Sequence, residues 1–199
     1  MQPRESLEIN RVKAFSDGVF AIAATLLAFN VHLVAPADQS LDALVGQIEP
    51  QIAAFLISFI VAAVYWRNHN RLFNVLERVD ARLNQFNMAL LAAVCLMPFA
   101  TGLIAGLRPS AGAVILYAGT IALIGVLSAV QWAYAALRPA LLSPHATTKE
   151  MWAWFRVACV SPAVFLLSIA LTGFSVVWAM RSWLLILAFL PLARRLERR

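Results

Sequence analysis

One segment, residues 11–33, constrains the fold more than any other part of the chain. It reads as an apolar helix long enough to cross a lipid bilayer, since a spanning helix needs roughly 20 mainly apolar residues. Near its basic start it carries an acidic residue, Asp17. A carboxylate in or near hydrocarbon costs a few kcal/mol or more unless it is paired or serves a site. We therefore expect other groups to hold Asp17, or a functional site to require it.

The composition indicates a membrane protein. The chain has 199 residues, of which 62% are apolar and 13% charged, whereas a soluble domain carries about 25% charged residues. Only helices and closed barrels satisfy their backbone groups in lipid. The apolar runs are continuous rather than alternating, which favours helices. We predict an all-α polytopic membrane protein in which residues 1–199 form a single membrane domain.

The apolar runs predict six transmembrane helices, separated by loop signals rich in proline and polar residues. The predicted spans are residues 15–34, 51–66, 84–107, 112–137, 152–173 and 176–192. An even number of spans places both termini on the same side of the membrane.

The basic residues predict the orientation of these spans. With the N-terminus in the cytoplasm, only Arg108 and Arg181 of the 16 lysines and arginines fall outside. This agrees with the enrichment of Lys and Arg in cytoplasmic loops, so both termini are predicted to be cytoplasmic. The excess of positive charge then reflects the orientation of the chain in the membrane, and no nucleic-acid partner is expected. A cleaved signal peptide is the competing interpretation of the first segment, but that segment is long for a signal and contains Ser16 and Asp17.

Helical geometry divides the first segment into two faces. At about 100° per residue, one stripe contains Arg11, Phe15, Gly18, Ile22, Thr25 or Leu26, and Phe29. The stripe is polar at its cytoplasmic end and then bulky and apolar, with Thr25 as its only hydroxyl. Asp17 points about 140° away from Ile22. If the stripe faces a symmetry axis, Asp17 faces neighbouring helices.

Donors for Asp17 are available at the same membrane depth, at the end of the second span and the start of the third. We predict a cytoplasmic cluster that takes part in assembly or gating rather than in binding ions. Its members are Arg11, Phe15, Ser16, Asp17, Trp66, His69, Asn84 and Asn87. Within it, Arg11, Ser16, Asp17, His69 and an asparagine would satisfy one another.

Three motifs in the first half resemble a known family. The pattern RxxxFSD begins at Arg11 and continues as GVFAIA over residues 18–23 and TLL over residues 25–27. It resembles the signature first helix of the transmembrane protein 175 (TMEM175) family, potassium channels of endosomes and lysosomes with shorter bacterial relatives. The pattern WxxHxxxF from Trp66 and residues 84–99, ending in LMPF, are similar to that family as well. Beyond Leu107 only the number and order of spans agree.

The resemblance implies a homotetramer with four first helices around a central pore. It places the constriction at Ile22, with Leu26 and Phe29 further outward and Thr25 as a hydroxyl layer. Phe29 departs from the family pattern, in which an aliphatic residue is usual, and this changes the expected width of the outer end. The chain has no TVGYG filter. Potassium ions are therefore expected to pass transiently, with no fixed ligands and with modest selectivity.

The expected function is that of a passive potassium-permeable cation channel in the bacterial plasma (inner) membrane. Its expected partners are potassium ions, the lipid bilayer and further copies of the chain. No cofactor is expected, since Cys95 and Cys159 fall inside spans and form no CxxC pair. The alternative is a secondary transporter or proton-coupled carrier, which would usually show broken helices and internal repeats. An enzyme is not expected, because Asp17, His69 and Ser16 lack an evident oxyanion site.

Overall fold

The computed structural model describes residues 3–32, 40–105 and 109–186, and these residues form helices joined by short connections. The helices are α1 (Pro3–Leu26), α2 (Leu41–Asn74), α3 (Ala81–Ile104), α4 (Ala111–Leu137), α5 (Thr148–Ala158), α6 (Val160–Thr172) and α7 (Val176–Arg181). Short 3₁₀ turns follow α1 at Leu27–Asn30, α4 at Pro139–Leu141 and α7 at Ser182–Leu184. Within these described ranges the fold is all-α and contains no named strand.

Five stretches of the described chain are long and apolar enough to cross a membrane. They are Leu7–Asn30, Leu44–Asn74, Ala81–Ile104, Ala111–Leu137 and Thr148–Thr172. These stretches coincide with the first five predicted spans. The sixth begins as predicted with α7 at Val176, while residues 187–192 of that prediction lie outside the described ranges.

The helices differ from the predicted spans at their ends. α1 begins at Pro3 and α2 continues to Asn74, because a helix does not stop where its apolar stretch ends and its polar turns continue beyond that stretch. Within the fifth span, Cys159 separates α5 from α6, but its backbone keeps helical dihedral angles and its N–H donates to the Phe155 carbonyl at 3.0 Å. The fifth span therefore continues through this local irregularity.

α4 forms the centre of the subunit and packs against α3, α5 and α6. Its inward face carries Tyr117, Ile121, Ile124 and Trp132, all of which are fully buried. α1 packs against α3 and α2. The helix that carries the predicted pore stripe therefore packs against α3, and α3 in turn packs against α4.

Gly125 lets three helices approach one another inside this frame. A Cβ atom at Gly125 would lie 2.7 Å from Cδ of Pro162 on α6 and 2.8 Å from Oη of Tyr65 on α2. The Tyr65 hydroxyl donates to the Ile121 carbonyl at 3.1 Å and lies 2.7 Å from Oγ of Ser161. A buried hydroxyl needs such partners, so the absence of a side chain at Gly125 preserves the hydrogen bonds of Tyr65.

The start of α3 is fixed by the carboxylate of Asp80, the residue that caps the helix. Asp80 Oδ1 accepts a hydrogen bond from the Leu83 backbone N–H at 2.8 Å, and Oδ2 accepts one from the Tyr134 hydroxyl at 2.6 Å. Burial opposes the charge of Asp80, but these hydrogen bonds and the nearby Arg138 hold the pKa of Asp80 below its ordinary value. The ionised carboxylate therefore stabilises the junction between α3 and α4.

We expect Gly125→Ala to destabilise the folded protein by about 1–3 kcal/mol, the usual effect of overpacking a core. The measurement is the thermal melting temperature of purified protein in detergent. Gly119→Ala is the matched control on the same helix, since a Cβ atom there meets nothing within 4 Å. A Gly125→Ala variant as stable as Gly119→Ala would contradict the close approach at Gly125.

We expect Asp80→Asn to remove part of the acid sensitivity of the fold. A carboxylate whose pKa is lowered by folding stabilises the protein above its unfolded pKa of about 3.9. That stabilisation is lost as the pH falls through the native pKa. The variant should therefore be less stable than the wild type at neutral pH, and the difference should shrink in acid. Melting curves over this pH range give the comparison, and a pH-independent difference would exclude an ionised Asp80.

Candidate functional site

The two faces of α1 have opposite surroundings. Ser16, Phe20, Ala23 and Leu27 are buried against the neighbouring helices. The opposite stripe is unpacked within the subunit: Phe15 is 56% exposed, Ile22 61%, Leu26 43% and Phe29 79%. A long apolar stripe of this kind faces either lipid or other copies of the chain.

Thr25 lies on the same exposed side. Its hydroxyl donates a hydrogen bond to the Ile22 carbonyl one turn earlier, at 2.8 Å. This is a common arrangement for threonine within a helix. The hydroxyl hydrogen is therefore directed at the backbone, and the lone pairs of the oxygen remain for other contacts.

A chain of buried hydrogen bonds joins α1 to α3 and α2. Ser16 Oγ donates to the Val12 carbonyl at 2.8 Å and accepts from Asn87 Nδ2 at 3.0 Å. Asn87 Oδ1 lies 2.8 Å from His69 Nε2. Since an amide oxygen can only accept, His69 Nε2 must carry the hydrogen. Ser16, Asn87 and His69, which we call the buried triad, are at most 3% exposed.

The imidazole of His69 is held by aromatic rings as well. Its centroid lies 4.3 Å from that of Phe73, nearly parallel to it, and 5.7 Å from that of Phe20. The second ring nitrogen, Nδ1, is buried and has no hydrogen-bond partner among the described residues. The hydrogen bond to Asn87 therefore uses Nε2 alone and leaves Nδ1 free of such a contact among the described residues.

Asp17 has a separate partner. The Trp66 indole N–H donates to Asp17 Oδ1 at 2.8 Å, which ties α1 to α2 one residue beyond Ser16. Asp17 is partly buried and lies off the exposed stripe. The structure thus divides the predicted cytoplasmic cluster into the Asp17–Trp66 pair and the buried triad.

The other members of that cluster lie elsewhere. Arg11 and Asn84 line a cavity of about 280 Å³ near the start of α3, together with Glu8 and Asp80. Asn84 Oδ1 is buried and has no hydrogen-bond partner in the described part of the chain. Phe15 is exposed on the stripe. Arg11 and Asn84 thus line the same cavity as Asp80, while Asp17 is hydrogen-bonded to Trp66.

The outer end of α1 makes contacts that sequence reasoning did not identify. After Leu26 the chain tightens into the 3₁₀ turn Leu27–Asn30. Asn30 Nδ2 donates to the Pro98 carbonyl of α3 at 2.8 Å, and the His32 backbone N–H donates to Gln51 Oε1 of α2 at 2.8 Å. The only sequence signal was an asparagine directly after an apolar run.

The described residues offer no metal centre. No group of three or more His, Cys, Asp or Glu side chains within the described ranges is placed to hold a metal ion. The exposed stripe of α1 carries apolar side chains and the Thr25 hydroxyl between Phe15 and Phe29. The arrangement can therefore line an apolar passage but cannot fix a cation with charged ligands.

Comparisons with known proteins agree with one another. Residues 11–98 match the sequence model of the family described as endosomal/lysosomal potassium channel TMEM175. A potassium channel of Chamaesiphon minutus is 35% identical over 179 residues, which cover 86% of this chain and 88% of the relative. The zebrafish (Danio rerio) endosomal/lysosomal proton channel TMEM175 is 27% identical over 188 residues, covering 92% of this chain and 36% of the relative.

A solved structure shows the same architecture. The crystal structure of a lysosomal potassium-selective channel TMEM175 homolog from Chamaesiphon minutus matches this fold with a TM-score of 0.78 and 29% sequence identity. The match covers 95% of this chain and 98% of that one. The likeness therefore continues well past the first half, to which the motifs had confined it.

We expect Asn87→Leu to destabilise the fold by about 1–3 kcal/mol, because it leaves the buried His69 N–H without an acceptor. Thermal melting in detergent measures the effect. Asn74→Ala is the control, since Asn74 is exposed and accepts only a surface hydrogen bond from Lys13 at 2.6 Å; such pairs contribute little. Equal melting temperatures for the two variants would show that the buried triad does not stabilise the fold.

Proposed function

This chain belongs to the TMEM175 family, and from that premise we propose that it is a potassium-permeable cation channel. It conducts passively through a central pore that α1 lines. The observation that carries this proposal is the exposed apolar stripe of α1, in particular Ile22, Leu26 and Phe29. Its bacterial relatives are named potassium channels, which supports potassium as the ion, whereas the zebrafish relative is named a proton channel.

A homotetramer gives the stripe a function. One helix cannot enclose a pore, but four copies of α1 around an axis can bring their stripes together. The orientation of α1 about its own helix axis buries Ser16 within the subunit and directs Ile22 away from the subunit. The chain is then placed in the bacterial plasma membrane with both termini in the cytoplasm, as the distribution of lysines and arginines indicates.

The constriction acts through hydration. A ring of Ile22 side chains narrows the pore with apolar surface, and such a ring can gate by dewetting. An ion that crosses it must shed part of its water shell, which potassium does more readily than sodium. Thr25 lies about 4.5 Å further along the helix axis and supplies oxygen where the shell is incomplete. Selectivity that arises in this way is modest, because no ligand set is matched to one ion.

The polar contacts of α1 hold this geometry in place. Asp17 is hydrogen-bonded to Trp66, and Ser16 to Asn87, so both fix the rotation of α1 relative to α2 and α3. In this proposal Asp17 and the buried triad orient the pore helix and couple it to its neighbours. They do not bind the permeating ion, because neither Asp17 nor Ser16 lies on the stripe.

A secondary transporter is the second candidate. Transporters bind substrates at discontinuous helices, and the fifth span carries a local irregularity at Cys159. The surroundings of Cys159 argue against a binding site there. Cys159 and Pro162 line a cavity of about 380 Å³ whose other walls include Phe86, Val126 and Phe155. These walls are apolar, and an ion or polar substrate would find almost no partner there.

We expect Ile22→Asn to increase the potassium current of protein reconstituted in liposomes or planar bilayers and to lower the potassium-to-sodium permeability ratio toward unity. A polar ring stays hydrated and removes the dewetting barrier. Ile60→Asn on α2 is the matched control, because Ile60 is also 61% exposed in the subunit but lies off α1.

Two results would contradict the channel. One is potassium uptake that saturates and requires a proton gradient, which would identify a carrier. The other is a monomeric mass of the purified protein in detergent, because a single α1 cannot form a pore. A tetrameric mass together with passive current that changes in Ile22→Asn but not in Ile60→Asn supports the proposal.

A further inference from the structure

The 3₁₀ turn at the outer end of α1 is held from two sides. Asn30 Nδ2 bonds to the Pro98 carbonyl on α3, and the His32 N–H bonds to Gln51 on α2. The Val31 N–H closes the turn by donating to the Ala28 carbonyl at 3.1 Å. The outer end is therefore docked on both helices that flank α1.

The contact on α3 depends on a missing side chain. A Cβ atom at Gly102 would lie 2.7 Å from Oδ1 and 3.4 Å from Cγ of Asn30. Gly102 is one helical turn beyond Pro98 on the same helix, so both face the Asn30 amide. We call Asn30, Pro98 and Gly102 the outer latch. The amide occupies the space that any other residue at position 102 would fill.

Phe29 has no comparable support of its own. It precedes Asn30 in the same turn and is the most exposed residue of the stripe, at 79%. An exposed aromatic ring makes few contacts within the subunit, so the backbone that carries it sets its direction. That backbone is fixed by the neighbouring Asn30. A displacement of the Asn30 amide breaks its hydrogen bond to the Pro98 carbonyl and so releases the backbone that carries Phe29.

We propose that Asn30 is a positioning residue for the outer end of the pore. By docking on Pro98 and Gly102, it holds Phe29 at a defined distance from the pore axis and so sets the width of the outer opening. This inference rests on the proposed function, because it assumes that Phe29 lies at the pore. Beyond that function, it names the residues that determine which hydrated cations pass the outer end of the pore.

The test compares Gly102→Ala, Asn30→Ala and the double variant by single-channel recording of reconstituted protein. Gly102→Ala should change the unitary potassium current by about threefold or more, as expected for residues in direct contact. The double variant should behave as Asn30→Ala alone, since the methyl group added at position 102 then meets no amide. Gly119→Ala is the control, because its Cβ atom meets nothing. Additive effects of the two substitutions would overturn the latch.

A second measurement does not depend on conduction. In a background in which Cys95 and Cys159 are replaced by alanine, since both are free thiols, a nitroxide label on Phe29→Cys reports distances between copies by electron paramagnetic resonance. Adding Gly102→Ala should shift these distances, and adding Gly119→Ala should not. If Gly102→Ala fails to assemble, the double variant with Asn30→Ala must recover assembly, and no recovery would overturn the proposal.

The two hypotheses fail in different ways. If Ile22→Asn alters permeation while Gly102→Ala changes neither the current nor the distances, the latch is wrong and the channel stands. If no passive potassium current exists, the channel is wrong, and the label distances still decide whether Asn30 positions Phe29.

Discussion

The structure depends on the hydrogen bonds that bury the polar side of α1. In a soluble helix the apolar face turns inward and the polar face meets water. Here Ser16 is bonded to Asn87, and Asn87 to His69, inside the subunit, while Ile22 and Phe29 face outward. Lipid offers no replacement for a lost hydrogen bond. The rotation of α1 is therefore fixed by its polar side, and this leaves the apolar stripe available for a pore.

The helices could be predicted from the sequence, whereas the contacts between them could not. The number and order of the spans follow from apolar length, and the stripe follows from helical periodicity, because both are local properties. The partner of Asp17 is not local. Trp66, Arg67 and His69 share one depth, and only the way in which α1 crosses α2 selects Trp66. The bond from Asn30 to Pro98 spans 68 residues and has no periodic signal at all.

The two halves of the chain have different tasks. The hydrogen bonds that orient α1, from Ser16 with Asn87 to Asn30 with Pro98, fall within residues 11–98, the part that matches the family model, and Gly102 lies just beyond it. The second half contributes the central helix α4 and the packing at Gly125. The second half therefore holds the helices together through packing around α4, whereas the family motifs lie in the first half.

The hydrogen bond within α1 from Thr25 to the Ile22 carbonyl has a consequence for the sign of the permeating charge. With its hydrogen committed to the backbone, the hydroxyl presents lone pairs and no donor to the outside. A ring of such oxygens lowers the energy of a dehydrated cation and offers nothing to chloride. Discrimination between cations and anions would then require no charged side chain. It would also be insensitive to ionic strength, because no surface charge that salt could screen takes part.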